Sequence, residues 1–287
     1  MDLKNAHKIR DAVNSGEVSA REVAEAALKR IEAADSRLGA FLTVDREGVL
    51  ERAEEVDRIV MERAMPLAGV PVAVKDNICT RLLRTTCGSR ILRHYLPPYN
   101  ATAVERLTLA GAVVLGKTNC DEFAMGSSTE NSAFQVTRNP FDPERVSGGS
   151  SGGSAVAVAA GMAPIGLGSE TGGSVRQPAS FCNVMGLKPT YGRISRYGLV
   201  AFASSLDCIA PIANSPEDIA LLLAHLAGWD SNDSTSAPVP VPDYLSEMHR
   251  LVRGMKLGIP GEFFGEGLDP GIRSVIEDGI RNAGSLG

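Results

Sequence analysis

Residues 146–174 read VSGGSSGGSAVAVAAGMAPIGLGSETGGS, and this stretch decides how the rest of the chain is understood. It opens with serines between two glycine pairs (Gly148, Gly149, Ser150, Ser151, Gly152, Gly153) and closes with another pair directly before Ser174. Glycine costs conformational entropy and buries no side chain, so two such clusters beside serines mark backbone placed for close approach to something. Between them, the small residues 155–160 fit a closely packed helix ended by Gly161, and residues 164–167 read as a short buried strand that delivers the second cluster. A serine is a poor nucleophile without a base and an oxyanion site. Successive N–H groups of Thr171, Gly172, Gly173 and Ser174 can supply the second; the base must come from elsewhere in the chain.

Outward from this stretch, the alternation of strands and helices is that of an α/β protein with a largely parallel sheet. Residues 3–63 read as helical. Ser19 and Glu22 form a capping box ahead of Val23, Ala27, Leu28 and Ile31 on one face, and a second helix carries Val49, Ala53, Val56 and Ile59. Val70, Val72 and Val74 then alternate as in a strand, which ends at Lys75 and Asp76. A strand end is where α/β proteins place chemistry, and a lysine semi-buried there loses part of its preference for the ammonium form. A helix from Thr102, with Thr102 and Glu105 as a second capping box, leads to GAVVLGKT at 111–118. Those eight residues match the phosphate-binding G-x-x-x-x-G-K-[ST] pattern, but Ala112, Val113, Val114 and Leu115 form a strand where that motif needs a glycine-rich turn, so a nucleotide site at Lys117 is rejected.

Residues 121–132 form a polar loop that lines or covers a pocket, and 178–207 are rich in loops. Ser215 caps a helix that starts at Pro216 and carries Ile219, Leu222, Leu223 and Leu226. Residues 231–243 read as a flexible or extended surface connection, followed by a strand near Leu257 and an amphipathic helix from about Asp269. The divisions expected are a helical segment 1–65, a catalytic core 66–230, the connection 231–243 and the start of a further portion at 244–287, all within one domain.

With a net charge of −5 and no run of Lys and Arg, the 287-residue chain does not offer nucleic acid a broad basic face. Its five cysteines form no C-x-x-C pair and are expected as reduced, buried thiols in a cytoplasmic protein. No apolar run approaches the ~20 residues of a membrane span, and no signal peptide is expected.

Histidine is the usual base for a serine, and Gly148, Ser150 and Gly152 satisfy G-x-S-x-G, but that elbow needs an apolar strand before it and residues 139–147 are polar and broken by proline. His7, His94, His225 and His249 have no motif around them, and no lysine has a serine three residues earlier. What remains is Lys75 at a strand end and two serines in glycine cradles.

AVKDN around Lys75, GGSSGGS around Ser150 and GSETGGS around Ser174 resemble the amidase signature family. DEFAMGSSTENSAF at 121–134 and residues 176–207 are most similar to the branch that provides glutamine-hydrolysing subunits to tRNA-dependent amidotransferases. The resemblance implies the α/β fold of that family, a mixed, largely parallel, twisted central sheet covered by helices on both faces, and a Ser–cis-Ser–Lys triad in which Ser174 is the nucleophile, Ser150 the bridge, held through a cis peptide, and Lys75 the base. It implies oxyanion or substrate-binding roles for Thr171, Gly172, Gly173, Ser127 and Ser151, and no metal. It further implies glutamine as substrate and no cofactor on this chain. The B and C subunits of the amidotransferase are its implied partners in a heterotrimer: the first binds misacylated tRNA and uses ATP and Mg2+, and the second, which is small, clasps the other two. A stand-alone hydrolase of a small amide is the alternative. Glu170 stands where the family usually has aspartate, and Ser147 where proline usually precedes the glycines. Family chains continue past position 287 with residues for the glutamine carboxylate and amine, so weak activity is expected of these 287 residues alone.

Overall fold

The computed structural model describes residues 3–250 and 252–286. The chain divides into two compact units, one running to Tyr244 and one from Leu245 onward.

The first unit opens with α1 (Ala6–Asn14) and α2 (Ala20–Leu38). The expected capping box is formed: the Ser19 hydroxyl accepts from the Glu22 N–H at 3.1 Å and the Glu22 carboxylate accepts from the Ser19 N–H at 2.8 Å. The helical reading of residues 3–63 needs one correction, because β1 (Phe41–Val44) separates α2 from α3 (Arg46–Val60). Gly39 ends α2 in the left-handed conformation, and the Asp35 carboxylate then takes the Ala40 N–H at 2.7 Å, which turns the chain toward the sheet. Four residues are too few to show an alternating pattern by themselves; the strand exists because it has β3 to pair with.

β2 (Pro71–Lys75), buried along its whole length, is the centre of a six-stranded sheet of order β1-β3-β2-β4-β6-β5. It pairs in parallel with β3 (Val113–Thr118) and β4 (Ile165–Glu170), whereas β1 on β3, β6 (Cys208–Ala213) on β4 and β5 (Met185–Gly186) on β6 are antiparallel. The class is α/β with a mixed sheet, as expected, but the sheet is not largely parallel: because the outer strands β1, β6 and β5 run against their neighbours, three pairings are antiparallel and two, the central ones, are parallel. Their crossovers carry α4 (Thr102–Leu109) and α5 (Gly152–Ala159), and α5 contacts the four inner strands β2, β3, β4 and β6. Residues 113–118 are a buried strand, which disposes of the phosphate-loop reading.

The α4 capping box is not formed. Ala101 is the N-cap, and Thr102 lies inside the helix with its hydroxyl donated to Asp230 at 2.6 Å, a charged acceptor that outcompetes a backbone turn. A short α6 (Arg176–Phe181) follows β4, and α7 (Pro216–Leu226) is capped by Ser215 as expected. The connection 231–243 is extended only in part. Asp233 and Ser236 are buried, with Asp233 accepting the Arg196 N–H at 2.8 Å, and the exposed run starts at Pro238.

The second unit holds most of the single turn α8 (Tyr244–Glu247) and all of α9 (Pro270–Ser285), whose first turn is capped by Asp269. The strand expected near Leu257 is absent among the described residues. Leu257 is 65% exposed, and the described residues of the unit offer no second strand to satisfy its backbone. No helix is long and apolar enough to cross a membrane, among the described residues.

Candidate active site

Lys75 is the last residue of β2, and its side chain is fully buried. Its Nζ lies 2.7 Å from Ser150 Oγ, 2.8 Å from Ser169 Oγ and 3.5 Å from the Ser169 carbonyl oxygen. Asn77 Nδ2 donates to the same Ser169 hydroxyl at 2.9 Å. No carboxylate among the described residues reaches ion-pair distance of this amine, so nothing offsets in contact the cost of a buried charge. Burial therefore pulls the amine from its ordinary 10.5 down to about 8, against the more distant pull of Asp121 and Glu170. A neutral amine has two N–H donors and one lone pair. The two oxygens of Ser169 can take both donors, which leaves the lone pair for the Ser150 proton.

Ser150 sits on a turn that its neighbours hold from several sides. The Gly149–Ser150 peptide is cis. The Gly149 N–H donates to Gln177 Oε1 at 2.9 Å, the Ser151 N–H to the Ser174 carbonyl at 3.0 Å, and the Gly152 N–H to Thr129 Oγ1 at 3.1 Å. Asp121, buried behind the loop, accepts the N–H groups of Thr129 at 3.0 Å and Asn131 at 3.2 Å.

Ser174 lies on the turn after β4. Gly173 has φ +124°, a conformation that a side chain would strain, and the turn places the Gly172, Gly173 and Ser174 N–H groups without an acceptor among the described residues. Buried Glu170 fastens the turn from behind: its carboxylate takes the N–H groups of Val175 and Arg176 and a two-pronged contact from the Arg176 guanidinium at 2.8 and 3.1 Å. The Ser174 hydroxyl has no hydrogen-bond partner among the described residues and faces a cavity of about 260 Å³ lined by Ala124, Gly126, Ser127, Gly149, Gly172, Gly173, Gln177 and Phe202.

Lys75 and Ser150 are thus in direct contact, and Ser174, Gly172, Gly173 and Ser127 surround one cavity. Two expected residues have side chains outside the lining. The Ser151 hydroxyl bonds the Ser169 backbone, donating to its carbonyl at 3.2 Å and accepting its N–H at 3.3 Å, so it ties α5 to β4 and does not line the cavity. The Thr171 side chain also lies outside the lining, its hydroxyl donating to Asp207 at 2.5 Å, whereas the group expected of Thr171 is its backbone N–H. Three residues escape a reading of the sequence. Ser169 and Asn77 flank the amine through side-chain directions that spacing does not reveal. Gln177 joins two walls, accepting from Gly149 and donating to the Ser127 carbonyl at 2.9 Å. It stands three residues after Ser174, one helical turn along, which is the available signal. No group of three or more His, Cys, Asp or Glu is placed to hold a metal among the described residues.

Compared with known proteins, residues 22–286 match the family described as Amidase. The chain belongs to the amidase family. This amidase is 58% identical over 285 residues to the A subunit of glutamyl-tRNA(Gln) amidotransferase from Carboxydothermus hydrogenoformans, and 57% identical over 284 residues to that of Moorella thermoacetica. These matches cover 99% and 98% of the chain but 59% and 58% of the relatives, so the chain spans well under two thirds of their length. The crystal structure of the corresponding amidotransferase subunit from Thermotoga maritima superposes with a TM-score of 0.84 at 46% identity, over 93% of this chain and 57% of that one.

Proposed function

We propose that this amidase chain carries the glutamine-hydrolysing chemistry of a tRNA-dependent amidotransferase, with Lys75, Ser150 and Ser174 as a relay. The observation that carries the proposal is a fully buried amine, without a carboxylate partner among the described residues, 2.7 Å from the Ser150 hydroxyl.

Neutral Lys75 takes the proton of Ser150 while Ser150 takes that of Ser174. The Ser174 oxygen then adds its electron pair to the side-chain amide carbon of glutamine, and the carbonyl electrons move onto oxygen. The unpaired N–H groups of Gly172, Gly173 and Ser174 are the donors available to that oxyanion, and removing one such donor costs roughly 10²–10³ in rate in comparable sites. On collapse, the C–N bond breaks and the leaving nitrogen receives the relayed proton and departs as ammonia. Water then attacks the ester by the same relay, which releases glutamate and restores Ser174. Ser150 is already bonded to Lys75, and its contact with Ser174 closes when substrate is in place; catalytic hydrogen bonds are commonly looser without substrate.

The likeness to the amidotransferase A subunits supports the wider assignment. Ammonia passes to the B subunit, which binds misacylated tRNA and uses ATP and Mg2+, with the C subunit completing the assembly, in the cytoplasm. The test is glutamine hydrolysis by the chain assembled with the B and C subunits, with and without ATP and Glu-tRNA(Gln). Release of glutamate that depends on Ser174 and rises with the tRNA and ATP is expected. Hydrolysis of small amides by the chain alone, indifferent to both partners, assigns a stand-alone amidase.

A further inference from the structure

A second concave site lies beside β1 and carries chemistry that amide hydrolysis does not use. It is a hollow of about 280 Å³ whose lining includes Thr43, Arg84, Arg93, His94, Phe134 and Gln135. The segment that supplies its two arginines is locally basic in sequence, while a carboxylate behind its wall, Asp76, is buried and taken up by Thr86 and Lys117. From position 77 to position 104 there is no Asp or Glu, while Arg81, Arg84, Arg90 and Arg93 fall within that span, in a chain whose net charge is −5. Elsewhere in the same unit Arg21, Arg46, Arg52 and Arg176 are each matched by a glutamate. None of these four arginines, of which Arg84 and Arg93 line the hollow, has a carboxylate at ion-pair distance among the described residues.

The arginines also stand on fixed backbone. The Thr85 N–H donates to the Tyr95 carbonyl at 3.1 Å and the Cys87 N–H to the Asp76 carbonyl at 3.1 Å, which closes the segment on itself and onto the end of β2. Arg93 Nε donates to His94 Nε2 at 2.8 Å, so one edge of that guanidinium is held and its two NH2 groups remain for a ligand. Uncompensated guanidinium groups at a concave surface select an anion, and their forked donors fit phosphate oxygens two at a time. Phe134, 43% exposed, adds an apolar ring on which a base can stack.

We propose that this hollow binds the phosphate of a nucleotide, with Arg84 and Arg93 on the phosphate and Phe134 against the base. The nucleotide is either free or part of an RNA strand. The assignment stands apart from the catalytic reading, since none of its residues touches the Lys75–Ser150 relay.

The test is a binding titration of the full chain with inorganic phosphate, AMP and a short fluorescent RNA, each at two salt concentrations, comparing R84A/R93A and F134A with R63A, a control at another exposed arginine without a carboxylate partner. R84A/R93A is expected to weaken AMP and RNA by about tenfold or more and to lower the salt slope for RNA by roughly one per phosphate contact removed, with an unchanged Tm. F134A is expected to weaken AMP and RNA about fivefold or more and to leave phosphate untouched. RNA bound more tightly than AMP assigns the strand, and equal binding assigns the free nucleotide. Indistinguishable titrations for R84A/R93A and R63A overturn the site, as does AMP binding no tighter than phosphate with F134A silent.

Discussion

Two lysines are buried to the same extent on neighbouring strands, and their surroundings give them opposite uses. Val74 lies opposite Lys117 in the β2–β3 ladder and Lys75 opposite Thr118, so the two amines leave the sheet on opposite faces. Lys117 reaches the Ile78 carbonyl at 2.8 Å, the Thr85 hydroxyl at 2.7 Å and the Asp76 carboxylate at 3.4 Å. Burial lowers its pKa too, but the carboxylate in contact opposes the shift, and the pair fastens the segment after β2 to β3. Lys75, one residue before Asp76, has only hydroxyl and carbonyl oxygens for company. Burial alone does not make a lysine a base; burial without a counter-ion does.

The largest expected effect separates the two outright. Lys75→Met removes the proton acceptor and should lower kcat/KM for amide hydrolysis by about 10⁴-fold, with stability unchanged or raised, because a costly buried amine is gone. Lys117→Met should do the reverse in the unfolding measurement: it strands Asp76 in the interior and should cost about 3–5 kcal/mol in a denaturant titration. Equal losses of stability in the two variants would erase the distinction. Gln177→Leu comes next. It leaves the buried Gly149 N–H unpaired at about 1–3 kcal/mol and the exposed Ser127 carbonyl to water, and kcat should fall about 10- to 100-fold while the nucleophile remains chemically intact.

The smallest effect is in pH. Catalysis needs the neutral amine, so kcat/KM should rise about tenfold per pH unit up to about 8 and level off above it. Stability should follow the same sign. The folded state binds fewer protons than the unfolded chain between about 8 and the ordinary 10.5, so unfolding free energy should rise with pH across that window in the parent protein and lose this component in Lys75→Met.

The parts of the fold legible in the sequence are those with a local cause. Ser19 with Glu22 and Ser215 with Pro216 announce helix starts that depend on a few neighbouring atoms, and the β2 alternation points to a strand that ends at Lys75. The rest depends on partners distant in the chain. β1 is a strand because β3 is beside it, and Thr102 leaves its cap for Asp230, 128 residues away. Leu257 has no second strand to pair with among the described residues of its unit. The site divides the same way. Glycine pairs beside serines mark the two turns, but whether a serine faces the cavity or the sheet is a matter of rotation about one residue. That is why motif position alone puts the Ser151 hydroxyl on the wrong side, and why Ser169, just before the Glu170 that fastens the turn, gives no sign in the sequence of being a partner of the lysine.

The central claim is that an uncharged Lys75 draws the proton from Ser174 through Ser150. Its most direct test is the rate at which a sulfonyl fluoride modifies the chain as pH is varied, read by intact mass and peptide mapping, with Lys75→Met, Ser150→Ala and Ser174→Ala alongside. One adduct on Ser174, formed faster as pH rises to about 8 and nearly abolished in all three variants, is the predicted result. An adduct on another residue, or an undiminished rate on Ser174 in Lys75→Met, would contradict it.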